Sequence, residues 1–125
     1  MIIIDGISYD LHLLSLPRKA EFLDRYANRT EDGKLHRELI GVYFNYELRI
    51  ARPDTRERML IYDALWEKLT EPVEFHDVTV PYAQGTFTFR AYFSNISDEL
   101  LKIKGQENYW KDLTVNFIAQ SPART

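Results

Sequence analysis

Cysteine is absent from the sequence. That excludes a disulfide framework, a thiol nucleophile and thiolate metal sites. Glycine is sparse: the five fall at 6, 33, 41, 85 and 105, no two closer than eight positions. The phosphate-cradling loops GxGxxG and the P-loop need closer spacing than that. HExxH, GxSxG and EF-hand patterns are missing too. No apolar run approaches the roughly 18 residues of a membrane span. There is no basic excess: 16 Lys and Arg against 19 Asp and Glu leave a net charge of −3. This argues against specific nucleic-acid binding, which favours a strongly basic surface. The opening MIIIDG is too short for a signal peptide and lacks its basic region, so the cytoplasm is the expected place of synthesis and residence.

What is present is the profile of an ordinary soluble domain, with 45% hydrophobic and 28% charged residues. At roughly 150 residues per domain, 1–125 reads as one domain. Such a chain buries roughly two-thirds of its unfolded surface and needs no metal or disulfide to fold. Aromatics are rich, with eight Tyr and seven Phe, which leans toward β structure.

Ile2, Ile3 and Ile4 run into Asp5-Gly6, a strong hairpin signal. The return segment runs from Ile7 to about Leu14, and Pro17 interrupts it. Residues 19–30 fit either a helix or a strand by spacing. EDGK at 31–34 is a second Asp-Gly turn. Beyond it Ile40, Val42, Phe44, Tyr46, Leu48 and Ile50 alternate with a mixed set, the mark of a half-buried antiparallel strand. The context makes 19–30 its partner.

A helix is predicted over 54–70. Asp54 or Thr55 serves as N-cap, and Asp54 with Glu57 has capping-box spacing. Arg58, Ile61, Tyr62, Leu65, Trp66 and Leu69 share one side, and Pro72 ends the helix. Residues 73–80 then read as a strand and 81–85 as a turn. Phe87, Phe89, Ala91 and Phe93 alternate in the next strand. Over 97–108, either Ser97 caps a short helix or the strand continues to Ile103, with a turn at 104–108. Leu113, Val115, Phe117 and Ala119 alternate once more. The class is α+β: an antiparallel β-sandwich or split barrel with one packed helix and a long protruding β-hairpin.

No residue pattern asks for chemistry. His12, His36 and His76 are far apart, so no metal is expected, and no cofactor either. Glu31-Asp32 is adjacent in a turn, and Asp98-Glu99 suits a helix start. Glu71, Glu74 and Asp77 divide between strand faces, so no catalytic residue is assigned and the chain is not expected to be an enzyme. Trp66 and Trp110 read as core anchors. The sequons at Asn28 and Asn95 carry no weight without a secretion signal.

The long hairpin is the feature that needs explaining. Residues 34–51 as one strand would reach about 59 Å. A domain of this size is about 36 Å across. The strand must bend, with Gly41 marking a bulge, or project. Its tip is mostly charged and shows no clear core face. An arm that pairs with a neighbour is the natural use, through contacts around Arg25, Arg29, Glu31, Asp32, Arg37 and Glu38.

Three stretches carry a family resemblance: FLDRYANRTEDGKLHRELIGVYFNYEL, YDALWEKLTEPVEFHDVTVP and DLTVNFIAQSPAR. They resemble small structural proteins encoded in prophages of Gram-positive bacteria. The order of elements is similar to the phage tail-tube fold, shared with the N-terminal domain of distal tail proteins. That resemblance implies a β-sandwich or split barrel with one flanking helix. It also implies a long hairpin that binds adjacent subunits in a ring or tube. The implied partners are further copies of the chain and other tail proteins, with neither nucleic acid nor membrane. The implied location is the host cytoplasm before assembly and the virion tail after it. Two other readings differ in class: a monomeric adaptor or head–tail completion protein with the hairpin folded back, and a small enzyme or ligand-binding domain with a pocket near His76 and Trp66.

Overall fold

A computed structural model describes residues 2–125. Asp5 and Gly6 take positive φ of 51° and 82° and join β1 (Ile2–Ile4) to β2 (Ile7–Tyr9). Only Gly, Asn and Asp enter that region cheaply, so the Asp-Gly pair makes the turn. The described pairing ends at Ile2↔Tyr9. The return segment therefore does not run on to Leu14. Instead β3 (Leu13–Ser15) crosses to the far side of the sheet and pairs with β5 (Leu35–Ile50). β4 (Arg18–Arg29) also pairs with β5, confirming the strand reading of that ambiguous stretch.

The helix α1 spans Arg56–Leu69. Thr55 is its N-cap, and the Thr55 hydroxyl accepts from the Arg58 amide at 3.1 Å. Asp54 instead pairs with the Arg58 guanidinium at 3.0 Å, one turn on. The predicted side is the packed one: Tyr62, Leu65 and Leu69 are buried, and Ile61 and Trp66 are half-buried. β6 (His76–Tyr82) starts later than the pattern predicted, because residues 71–75 turn after Pro72. β7 (Gly85–Lys104) and β8 (Glu107–Ala119) form a second long hairpin. The strand alternative for 97–103 is thus the one adopted. Asn95 and Asp112 both take positive φ at register shifts. Such bulges bend a long strand pair.

The strands form one eight-stranded antiparallel sheet in the order β2-β1-β6-β7-β8-β5-β3, with β4 also on β5. The path is open at both ends, so the α+β class holds while hydrogen bonding does not close a barrel. Cross-strand partners carry the core around one face. Ile4 pairs with Val78, Val78 with Phe89, Phe93 with Phe117, Phe117 with Tyr46, and Val115 with Leu48. The helix residues complete this cluster. No helix of the described residues is long and apolar enough to cross a membrane.

Candidate functional site

β8 covers β5 only over Tyr46–Ile50. The C-terminal tail adds one bridge, Val42 to Arg124. From Leu35 to Gly41, about 20 Å of strand, β5 has β4 as its only strand neighbour among the described residues. Every residue from Arg25 to Ile40 is exposed. This is the arm.

Bulges shape it. Leu23 faces Gly41 but Asp24 faces Leu39, leaving Ile40 extra; Arg25 is extra on the other strand. Gly41 sits beside the first bulge, as expected, but its space is set by the tail. A Cβ there would lie 2.6 Å from Pro122 Cβ and 2.8 Å from the Arg124 carbonyl oxygen. At the tip, Gly33 has a φ of 84° and its amide donates to the Thr30 carbonyl at 2.9 Å.

Most of the six charged residues assigned to the arm are engaged within it. Arg25 pairs with Glu38 at 3.6 Å, and Arg37 with Asp24 at 3.2 Å. Arg29 donates to the Gly33 carbonyl at 2.9 Å. Asp32 accepts from the Thr30 hydroxyl and from the Lys34 amide. Those two hydrogen bonds hold its carboxyl below the usual carboxylate range. Glu31 alone of the six has no ion pair or side-chain hydrogen bond among the described residues. Exposed pairs of this kind contribute little to stability.

The apolar groups of the arm were missed in the sequence. Phe22, Leu23, Tyr26, Leu35, Leu39 and Ile40 are each 40% exposed or more. Phe22 pairs with Val42, so it continues the core face past the end of the core. The available signal was the hydrophobic set itself, which charges on either side obscured. Among the described residues β4 pairs with β5 alone, which leaves backbone groups on its outer edge without a strand partner.

Elsewhere, α1 and the β7–β8 hairpin flank an open cavity of about 390 Å³ lined by Tyr62, Asp63, Trp66, Glu67, Asp98 and Trp110. The Tyr62 hydroxyl donates to Asp98 at 3.1 Å. Burial and the Asp98 charge push the Tyr62 hydroxyl up. Burial also raises the Asp98 carboxyl, against the pull of the Tyr62 hydrogen bond. Burial and the nearby Glu67 raise Asp63. Carboxylates beside indoles suit a cationic group. His76 is not part of this cavity: its ring is buried on β6, stacked on Phe93. Thus Trp66 and His76 do not form one pocket. Among the described residues no group of three or more His, Asp or Glu is placed to hold a metal ion. No protein-family model, curated protein or solved structure matches the chain.

Proposed function

We propose that the protein is a self-associating structural subunit, of the tail-tube or distal-tail kind found in phage particles, whose β4–β5 arm binds the next copy. The observation that carries this reading is the arm itself. It projects past β8, stays exposed along its length and bears exposed Leu35 and Leu39, with Phe22 beneath only the Arg37 guanidinium, 5.4 Å from its ring centroid. Free strand edges and uncovered apolar groups together are what a neighbouring chain pairs with. On this reading the curled sheet and α1 enclose the core as a split barrel, and the arm extends from its rim. Partners are further copies and other tail proteins, in the host cytoplasm and then the virion tail. The chain carries out no catalysis and grips neither nucleic acid nor membrane.

The test replaces residues 27–37 by an Asn-Gly turn. Light scattering over a concentration series then compares the shortened and parent proteins, with electron microscopy for rings or tubes. The parent is expected to grow in size with concentration and the shortened protein to stay monomeric. A parent that is monomeric at millimolar concentration replaces this reading with the adaptor one.

A further inference from the structure

At the root of the arm, Arg18 pairs with Tyr46 and Ala20 with Phe44, so all four side chains leave the hairpin on its core side. Tyr82, from the end of β6, stacks on Phe44 with ring centroids 5.7 Å apart. Together with Lys19 these residues line a cavity of about 180 Å³. Tyr46 is only 3% exposed, and among the described residues its hydroxyl makes no well-formed hydrogen bond; the Arg18 guanidinium beside it offsets part of the rise that burial imposes on its pKa. Buried hydroxyls are nearly always paired, so an orphan is one that a missing group would satisfy. The Arg18 guanidinium lies 5.2 Å from the Tyr82 ring centroid. Beside the cavity, Arg124 from the tail lies 5.5 Å from the Phe44 ring centroid and donates to the Tyr82 hydroxyl at 3.2 Å. Neither arginine forms an ion pair among the described residues, whereas Lys19 is already held by Glu21 at 3.2 Å.

We propose that this cradle takes a carboxylate, and that the carboxylate is Glu31 from the arm tip of a second copy. The inference rests on the self-association reading above. The Arg18 guanidinium and the Tyr46 hydroxyl line the cavity with no acid among the lining residues, and Arg124 adds positive charge beside it, which is the complement of a carboxylate. The volume is below the roughly 300 Å³ at which small-molecule sites begin, so one side chain fits and a cofactor does not. Glu31 is the arm acid left unengaged, since Asp32 beside it is bound by Thr30 and Lys34. A chain cannot fill its own cradle: the extended run from Arg18 to Arg29 carries the tip about 36 Å away. The contact is therefore head-to-tail, the type that closes rings or extends filaments.

Charge reversal on the full chain tests it. Arg18→Glu and Glu31→Arg are each expected to raise the concentration needed for association by about tenfold or more. Mixing the two variants, or combining both changes in one chain, should restore it, because each altered cradle then meets an altered tip. Tyr46→Phe should weaken association severalfold and leave the thermal midpoint of the monomer unchanged or higher, since no well-formed hydrogen bond within the chain is lost. Arm-dependent association that ignores the charge swaps overturns the cradle and leaves the self-association reading standing. So does a Tyr46→Phe monomer with a lowered midpoint and unchanged association, which would mean that the hydroxyl serves only a water. A parent that never associates overturns both.

Discussion

His76 Nδ1 lies 2.6 Å from Asp5 Oδ2, across 71 positions of sequence. The same carboxylate accepts from the Asp77 amide at 2.9 Å, and the Asp5 amide donates to the Asp77 carbonyl at 2.7 Å. The turn of the first hairpin is thereby fastened to the start of β6. Phe93 covers the imidazole, with ring centroids 4.6 Å apart and planes 3° from parallel. Burial raises the Asp5 carboxyl. The hydrogen bonds from His76 and the Asp77 amide, with the charges of His76 and Lys68, outweigh burial and hold it below its usual range.

Asp5→Asn isolates this pairing, because Asn tolerates the same positive φ. It should destabilise the fold by about 1–2 kcal/mol at neutral pH. The folded pKa of Asp5 is lower than its unfolded one. Its stabilising contribution is therefore complete above the unfolded value of 3.8 and lost as pH falls through the folded pKa. Urea unfolding at neutral and strongly acidic pH should show the gap between wild type and variant narrowing in acid. A gap that is the same at both would mean that Asp5 does not titrate with folding.

Leu65 is 1% exposed at the centre of the helix contact, while Leu60, on the same helix, is 59% exposed. Leu65→Ala should cost about 2–5 kcal/mol through lost burial and a residual cavity. Leu60→Ala should stay within about 0.5 kcal/mol. Chemical denaturation of the two variants side by side checks which face of α1 points inward.

Gly41→Ala places a methyl group against Pro122 and the Arg124 carbonyl. The tail must then lift from β5, breaking the hydrogen bonds between Val42 and residues 123–124. A loss of about 1–3 kcal/mol is expected. In a chain ending at Gln120 the same substitution should cost almost nothing, because the obstacle is gone. Equal losses in both backgrounds would place the cost in the strand and not in the tail.

Phe22→Ser and Leu39→Ser remove exposed apolar groups, Phe22 being overlain in the monomer only by the Arg37 guanidinium. Phe22 is 60% exposed and Leu39 43%. Monomer stability should change by no more than about 0.5 kcal/mol for each, while the concentration needed for association rises. A large loss of monomer stability would show that the arm folds back on the body in solution.

Much of the fold could be read directly. Asp5-Gly6 and residues 31–34 announce their turns because few residues accept positive φ. Leu65 and Leu69 announce the packed side of α1 by helical spacing. The alternation from Ile40 to Ile50 announces a strand. β7 was legible only as far as Phe93: beyond it Asn95 inserts an extra residue, and the period of two on which the reading depends slips.

Alternation between faces is a local property of the backbone, and short-range sequence is enough to set it. Coverage is not local. Phe22 and Val42 lie on one face by register, yet Val42 is 9% exposed and Phe22 60%. The difference arises because β8 stops at Phe117↔Tyr46, and the tail from Pro122 to Arg124 settles against Gly41 and Val42 and reaches no farther along the arm. The same applies to Tyr46, whose place in a strand follows from its spacing. Its surroundings depend on Arg18 and Tyr82, which reach the same cavity from β4 and from the end of β6. Which side chains are left uncovered or unpaired is decided by where non-neighbouring segments end, and only the assembled sheet sets those ends.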